Sequence, residues 1–268
     1  MEKKSVVFIL WTAGWDSTYR LVELARLDVT VQPVYVTEMG RPSEKKELEA
    51  QKAILAALQG HRDVKAVILP VLYIRQADIP VDERISAAYA DIMKTVALGI
   101  QYETLAQCAA QFPGIEIGSE GGLAQNLRMT EAINLHGRLM EKNGVYVVDP
   151  ERSDDIAMAA FGNFTFSIID KTETQMLENV KAWGFEDVMA HIWFCHDPIG
   201  GKPCGVCRAC EVKMQSGLGF LLPPAAQRRY RFKMLLWKIF GKRYALGLCR
   251  RLYKRKRSLG EAYDTHRS

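Results

Sequence analysis

The sequence predicts an α/β protein, a parallel sheet wrapped by helices, followed by a four-cysteine segment and a basic helical tail. Three observations predict it. Short apolar runs alternate with longer stretches of helical periodicity. Near the end, Cys195, Cys204, Cys207 and Cys210 follow the spacing Cys-x8-Cys-x2-Cys-x2-Cys. Residues 228–257 hold thirteen Lys or Arg and no Asp or Glu, more than the net +5 of the whole chain, so an acidic body carries a basic end.

The N-terminus, MEKKSVVFILW, starts basic, but its apolar run at 6–11 is short and Asp16 soon follows. This reads as a first buried strand and not a signal peptide. A Gly turn leads into an amphipathic stretch at 18–27. Residues 31–36 give a second strand, 44–58 a helix and 66–71 a third strand. A long helical region, broken or continuous, covers 83–111. After Pro113-Gly114 comes a fourth strand at 115–118, then a helix at 124–140 and a fifth strand at 145–148. A helix at 172–183 has Asp170 or Thr172 near its cap. No stretch approaches the roughly 20 apolar residues that span a bilayer. With 48% hydrophobic and 25% charged residues, the 268-residue chain has the make-up of a globular cytoplasmic protein. The shift in charge near Pro223-Pro224 divides it into a main domain, 1–225, and a tail, 226–268.

The cysteine spacing lets neighbouring thiolates converge on one ion. Four thiolates suit tetrahedral Zn²⁺ and leave no open position for water, so the site reads as a structural clamp. An iron–sulfur cluster, disulfides or unrelated thiols would use the same residues. Cys108 reads as a buried helix residue, and Cys249 lies in the basic tail.

In an open parallel sheet, ligands gather at the carboxyl ends of the strands. The first such end is Thr12-Ala13-Gly14-Trp15-Asp16-Ser17-Thr18. Its small residues let backbone amides approach an anion at a helix start, and Thr12, Ser17 and Thr18 add hydroxyl donors. Asp16 is a candidate for holding Mg²⁺ or ordering the loop, although Asp16 or Ser17 would serve equally as a plain helix cap. No Gly-Lys-Ser/Thr is present, which argues against ordinary P-loop phosphoryl transfer.

The run from Thr12 to Ser17 resembles the Ser-Gly-Gly-x-Asp-Ser loop of the PP-loop ATP pyrophosphatases, a HUP-like fold. Within that superfamily the terminal cysteines look like those of the 7-cyano-7-deazaguanine synthase family of queuosine biosynthesis. Glu47-Leu48-Glu49-Ala50, Ile115-Glu116-Ile117-Gly118, Asp170-Lys171-Thr172-Glu173 and Ile192-Trp193-Phe194-Cys195 are similar to further family segments, and the resemblance covers roughly residues 5–220.

The resemblance implies a ligase that uses ATP and Mg²⁺ to adenylate a deazaguanine carboxylate, releasing pyrophosphate. Ammonia then displaces AMP to give an amide, and a second adenylation dehydrates the amide to a nitrile. It implies that Thr12, Gly14, Ser17 and Thr18 cradle phosphate with Ala13 and Trp15 in the same loop. Asp16 orients the loop or metal, Lys171 neutralises phosphate charge, and Gly118 allows close approach of the nucleotide. The chain departs from the family pattern at Thr12-Ala13, at Ala90-Asp91-Ile92-Met93 where an Arg-Asn pair is expected, and at Ser119-Glu120-Gly121-Gly122-Leu123. Arg128 is a candidate substitute for the missing basic group. Such departures fit a relative in antiviral defence that joins the deazaguanine carboxylate to a protein amine. A tRNA-base adenylating enzyme and a non-catalytic nucleotide- or partner-binding module are the competing readings, and a homo-oligomer is compatible with all of them. The tail alternates aromatic, aliphatic and basic residues, as a helix that meets a partner protein, nucleic acid or a membrane surface would.

Overall fold

A computed structural model describes residues 6–99, 101–119, 128–241, 243–249 and 251–252. They form two compact units: 6–40 with 48–192, and 41–47 with 193–252. In chain order the elements are β1 (Val6–Leu10), α1 (Trp15–Ala25), β2 (Thr30–Thr37), α2 (Glu44–Gly60), β3 (Val67–Ile68), β4 (Leu72–Arg75), α3 (Glu83–Thr95), α4 (Gln101–Ala109) and β5 (Ile115–Ile117). They continue with α5 (Arg128–His136), β6 (Leu139–Lys142), β7 (Val145–Val148), α6 (Asp155–Phe161), β8 (Phe164–Thr165), α7 (Glu173–Trp183), α8 (Glu186–Met189), α9 (Arg208–Gln215) and α10 (Pro224–Phe240).

The first unit is the expected α/β structure. Its six-stranded sheet runs β3–β2–β1–β5–β8, with β4 also beside β2, and every pairing is parallel. The inner strands β1, β2 and β5 are largely buried, which is why they read as near-continuous apolar runs, whereas β3 and β4 at the edge are largely exposed. Leu10, Val34, Val36, Ile115 and Ile117 share one core with residues of α3, α4, α5 and α6. Strand alternation sends Ile9, Trp11, Tyr35 and Glu116 to the opposite face, where Arg20 of α1 binds Glu116. The single third strand expected at 66–71 is two short ones, because Pro70 interrupts the ladder. Gln32 fills the gap by donating its side-chain amide to the Pro70 carbonyl at 2.8 Å.

Two expectations are corrected here. The helix expected at 124–140 ends at His136, and Leu139–Lys142 is a strand; residues 124–127 lie outside the described set. Residues 145–148 are a strand, but their ladder is antiparallel with β6, and a single antiparallel bridge from Tyr146 to Phe166, just past β8, links them to the main sheet. The cause is local: Asn143 (φ 54°) and Gly144 (φ 79°) form a two-residue turn with both φ positive, the hairpin turn that suits strand twist. The sheet's edge strand is instead β8, too short to stand out as an apolar run. The long region at 83–111 is broken into α3 and α4. Thr172, not Asp170, caps α7, with Gln175 completing a capping box and Gly184 closing the helix in the left-handed conformation.

The second unit gathers around the cysteines. Cys195, Cys204 and Cys210 share a core with Leu222 and Ala226, flanked by Trp193, Phe194 and Ile199. The charge boundary at Pro223-Pro224 falls inside this unit, where Pro224 opens α10. Helical structure resumes at 243–249 and runs through Gly247. Among the described residues, no helix is long and apolar enough to cross a membrane.

Candidate active site and metal centre

Chain order β1, β2, β3 runs outward in one direction, and the next long crossover returns β5 to the other side of β1. The strand order therefore reverses between β1 and β5, and the crevice at their carboxyl ends is where open parallel sheets hold ligands. The loop from Thr12 to Thr18 leaves β1 at this point, and Gly118 leaves β5.

The end of β1 is fastened before the loop begins. Trp11 is fully buried, its N–H donates to the Val34 carbonyl at 2.9 Å, and its carbonyl accepts from Gln51 Nε2 at 2.9 Å. Thr12 is exposed, and Ala13 then turns with φ 58°, in the left-handed region that glycine adopts without strain. Gly14 is the N-cap of α1 and contributes no side chain to the cap. The helix thus presents backbone N–H groups and the positive end of its dipole at the switch point.

Side chains divide by depth. Thr18 is fully buried and its hydroxyl accepts from Trp11 Nε1 at 3.1 Å, so it secures the loop from beneath. Ser17 is 7% exposed, and its Oγ has no hydrogen-bond partner among the described residues. A buried hydroxyl left unpaired in the first turn of a helix is chemically suited to an anion. Trp15 is buried and Asp16 half-buried in the same turn. Burial, and then the charge of Asp16, raise the pKa of the Tyr102 phenol on α4. Nothing in the sequence pairs Tyr102 with Asp16, since the two lie on different helices.

Gly118 serves the chain itself. A Cβ there would stand 2.9 Å from Ser17 N and 3.1 Å from Ser17 Cα, so β5 and α1 touch backbone to backbone. Below this contact, Arg20 binds Glu116 through Nε at 2.6 Å and Nη2 at 2.8 Å, and Ser167 Oγ donates to Glu116 at 2.7 Å. The carboxylate of Glu116 raises the Arg20 pKa further, against the opposing effect of burial. Lys171 lies past the carboxyl end of β8, beside β5, and pairs with Asp170 at 3.3 Å. Arg128 donates to the Ala97 carbonyl at 2.8 Å. Of the departing segment 119–123, only Ser119 lies within the described residues.

In the second unit the four sulfurs of Cys195, Cys204, Cys207 and Cys210 all lie within 4.8 Å of one another. Cys204 and Cys210 are 3.9 Å apart, as are Cys207 and Cys195. A tetrahedron of thiolates around Zn²⁺ would separate sulfurs by about 3.8 Å. That fits one ion better than an iron–sulfur cluster, whose irons hold their thiolates apart. The Cys204 sulfur also accepts from the N–H groups of Val206 and Cys207, both at 3.2 Å. Such bonds orient and stabilise a thiolate. Hydrogen bonding to Cys195, then to Cys204 and Cys210, pulls the Cys207 thiol well below its ordinary pKa. The donor set is therefore one that could hold zinc, nearly closed from solvent.

Helix α10 is part of this centre. Gly205 (φ 75°) sits so close to it that a Cβ would meet the Ala226 carbonyl oxygen at 2.0 Å. Arg229 Nε donates to the Cys204 carbonyl at 2.7 Å, and the fully buried Lys233 pairs with Glu211 at 2.7 Å. Cys108 and Cys249 are buried elsewhere, and burial pushes the Cys108 thiol up to about 11.

The fold defines an α/β protein with a mostly parallel central sheet flanked by helices and a four-cysteine cluster that could bind zinc. No protein-family model and no curated protein matches the chain.

Proposed function

We propose that the chain is an ATP-dependent carbon–nitrogen ligase, a divergent relative of the 7-cyano-7-deazaguanine synthases among the PP-loop ATP pyrophosphatases. It activates a deazaguanine carboxylate as its adenylate, and ammonia or another amine then displaces AMP to give an amide; with ammonia, a second activation dehydrates the amide to the nitrile. The observation that carries the reading is the uncapped start of α1 at the β1/β5 switch point, with the Ser17 hydroxyl buried and unpaired beside it.

In this reading Thr12, Gly14 and Ser17 hold the leaving pyrophosphate together with the backbone at Ala13 and Trp15. Asp16 orients the loop or would hold Mg²⁺, which when bound would supply positive charge against the leaving oxygens. Thr18 and Gly118 fix the shape of the loop, and Lys171 supplies a cation past the neighbouring strand end. The cysteine centre holds Zn²⁺ for structure alone, because four thiolates leave no position for a reacting group.

The test is pyrophosphate release from Mg-ATP in the presence of a carboxy-deazaguanine. The wild-type protein releases pyrophosphate, Ser17→Ala slows release by about a hundredfold, the usual effect of losing one such donor, and Asp16→Ala abolishes it. Wild-type protein without release, or both variants at full rate with an unchanged fold, would remove the loop from the chemistry.

A further inference from the structure

Helix α10 has two faces of different character. One carries Ala226, Lys233 and Leu236, all buried. The other carries Phe232, Leu235 and Ile239, which are 43%, 54% and 61% exposed. Their spacing of three and four residues makes a single stripe along the helix. Phe240 and Tyr244, both exposed, follow the stripe, with ring centres 5.1 Å apart. Arg228, Arg231, Lys238 and Arg243 are exposed among these residues, and no Asp or Glu occurs between 228 and 257.

A run of large exposed apolar side chains on an ordered helix marks an interaction surface. Its chemistry selects the partner. A second copy would set this positive face against itself. Nucleic acid would satisfy the arginines, but its phosphates offer nothing apolar to Leu235 and Ile239 at the middle of the stripe. An anionic lipid surface offers both, headgroup charge for the Arg and Lys side chains and acyl chains for the apolar ones, with aromatic rings at the boundary. The helix is too charged to cross a bilayer, so attachment is peripheral.

We propose that α10 is a membrane-surface helix, which lays Phe232, Leu235 and Ile239 into an anionic leaflet while its opposite face stays on the cysteine centre. The inference is independent of the reaction assigned above. The full chain, zinc-loaded, is floated with vesicles of phosphatidylcholine alone or mixed with phosphatidylserine. It binds the mixed vesicles, less so as salt rises, and ignores the neutral ones. The double variant Leu235→Glu/Ile239→Glu, on exposed positions, keeps its zinc and helix content and loses at least about tenfold in partitioning. A second pair, Arg231→Glu/Lys238→Glu, leaves the apolar stripe whole and erases the preference for phosphatidylserine. No vesicle binding by the wild type, or equal binding by the apolar variant, overturns the proposal. Binding to duplex DNA or RNA without vesicle binding gives the face to nucleic acid, and a dimer that the apolar variant dissolves, again without vesicle binding, gives it to a second copy.

Discussion

Ala13 shows how one residue can carry a strain that its identity conceals. Its small side chain suits a buried loop, and so much is legible from the sequence. Its φ of 58° is not, because left-handed backbone there comes from the way β1 must turn into α1. For a non-glycine residue that conformation costs about 1 kcal/mol. Ala13→Gly should therefore raise stability by about 0.5 kcal/mol, once the added freedom of the unfolded chain is subtracted. Urea unfolding measures this; a variant less stable than wild type would mean the loop does not take this shape. Thr18 was legible as a hydroxyl near the loop, but its burial under Trp11 depends on packing that no local pattern encodes.

Among elements, α1 matters most, because its first turn is the proposed anion site. It is aligned by the paired contacts from Arg20 to Glu116, residues far apart in sequence. An acidic residue between two isoleucines in a buried strand was visible, but its partner was not. Removing the charge of Glu116 takes from the largely buried Arg20 its bidentate partner and leaves it Glu23 alone. Glu116→Gln should cost about 3 kcal/mol, read as a fall in the urea midpoint with unchanged slope. A change below about 0.5 kcal/mol would show the pair to be solvated. The long strands β1 and β2 and the helices α1, α2 and α7 were legible from periodicity and caps. The β6–β7 hairpin was not, since its strands are short and the first two residues of β6, Leu139 and Met140, fell at the end of the stretch that reads as a helix. Strand β8, two residues long, exists only through its pairing with β5.

At the scale of the whole molecule, each unit has its own organising centre. The four-cysteine pattern announced the second, because ligand spacing is a local property. That α10 is built onto it was hidden: the composition changes at Pro223-Pro224, yet Ala226, Arg229 and Lys233 continue the same core. A metal held by these cysteines would therefore couple its binding to the folding of α10. Cys207→Ser should lose zinc and, with it, hydrogen-exchange protection across α10, whereas full protection without zinc would make the metal dispensable to the tail. The proposed adenylation at the first unit is read from its products. The protein is incubated with Mg-ATP and a carboxy-deazaguanine, with and without ammonium, and the products are weighed by mass spectrometry. AMP and pyrophosphate should form only when the carboxylate is present, and an amide or nitrile only when ammonium or another amine is supplied. ATP left intact under every condition would contradict it.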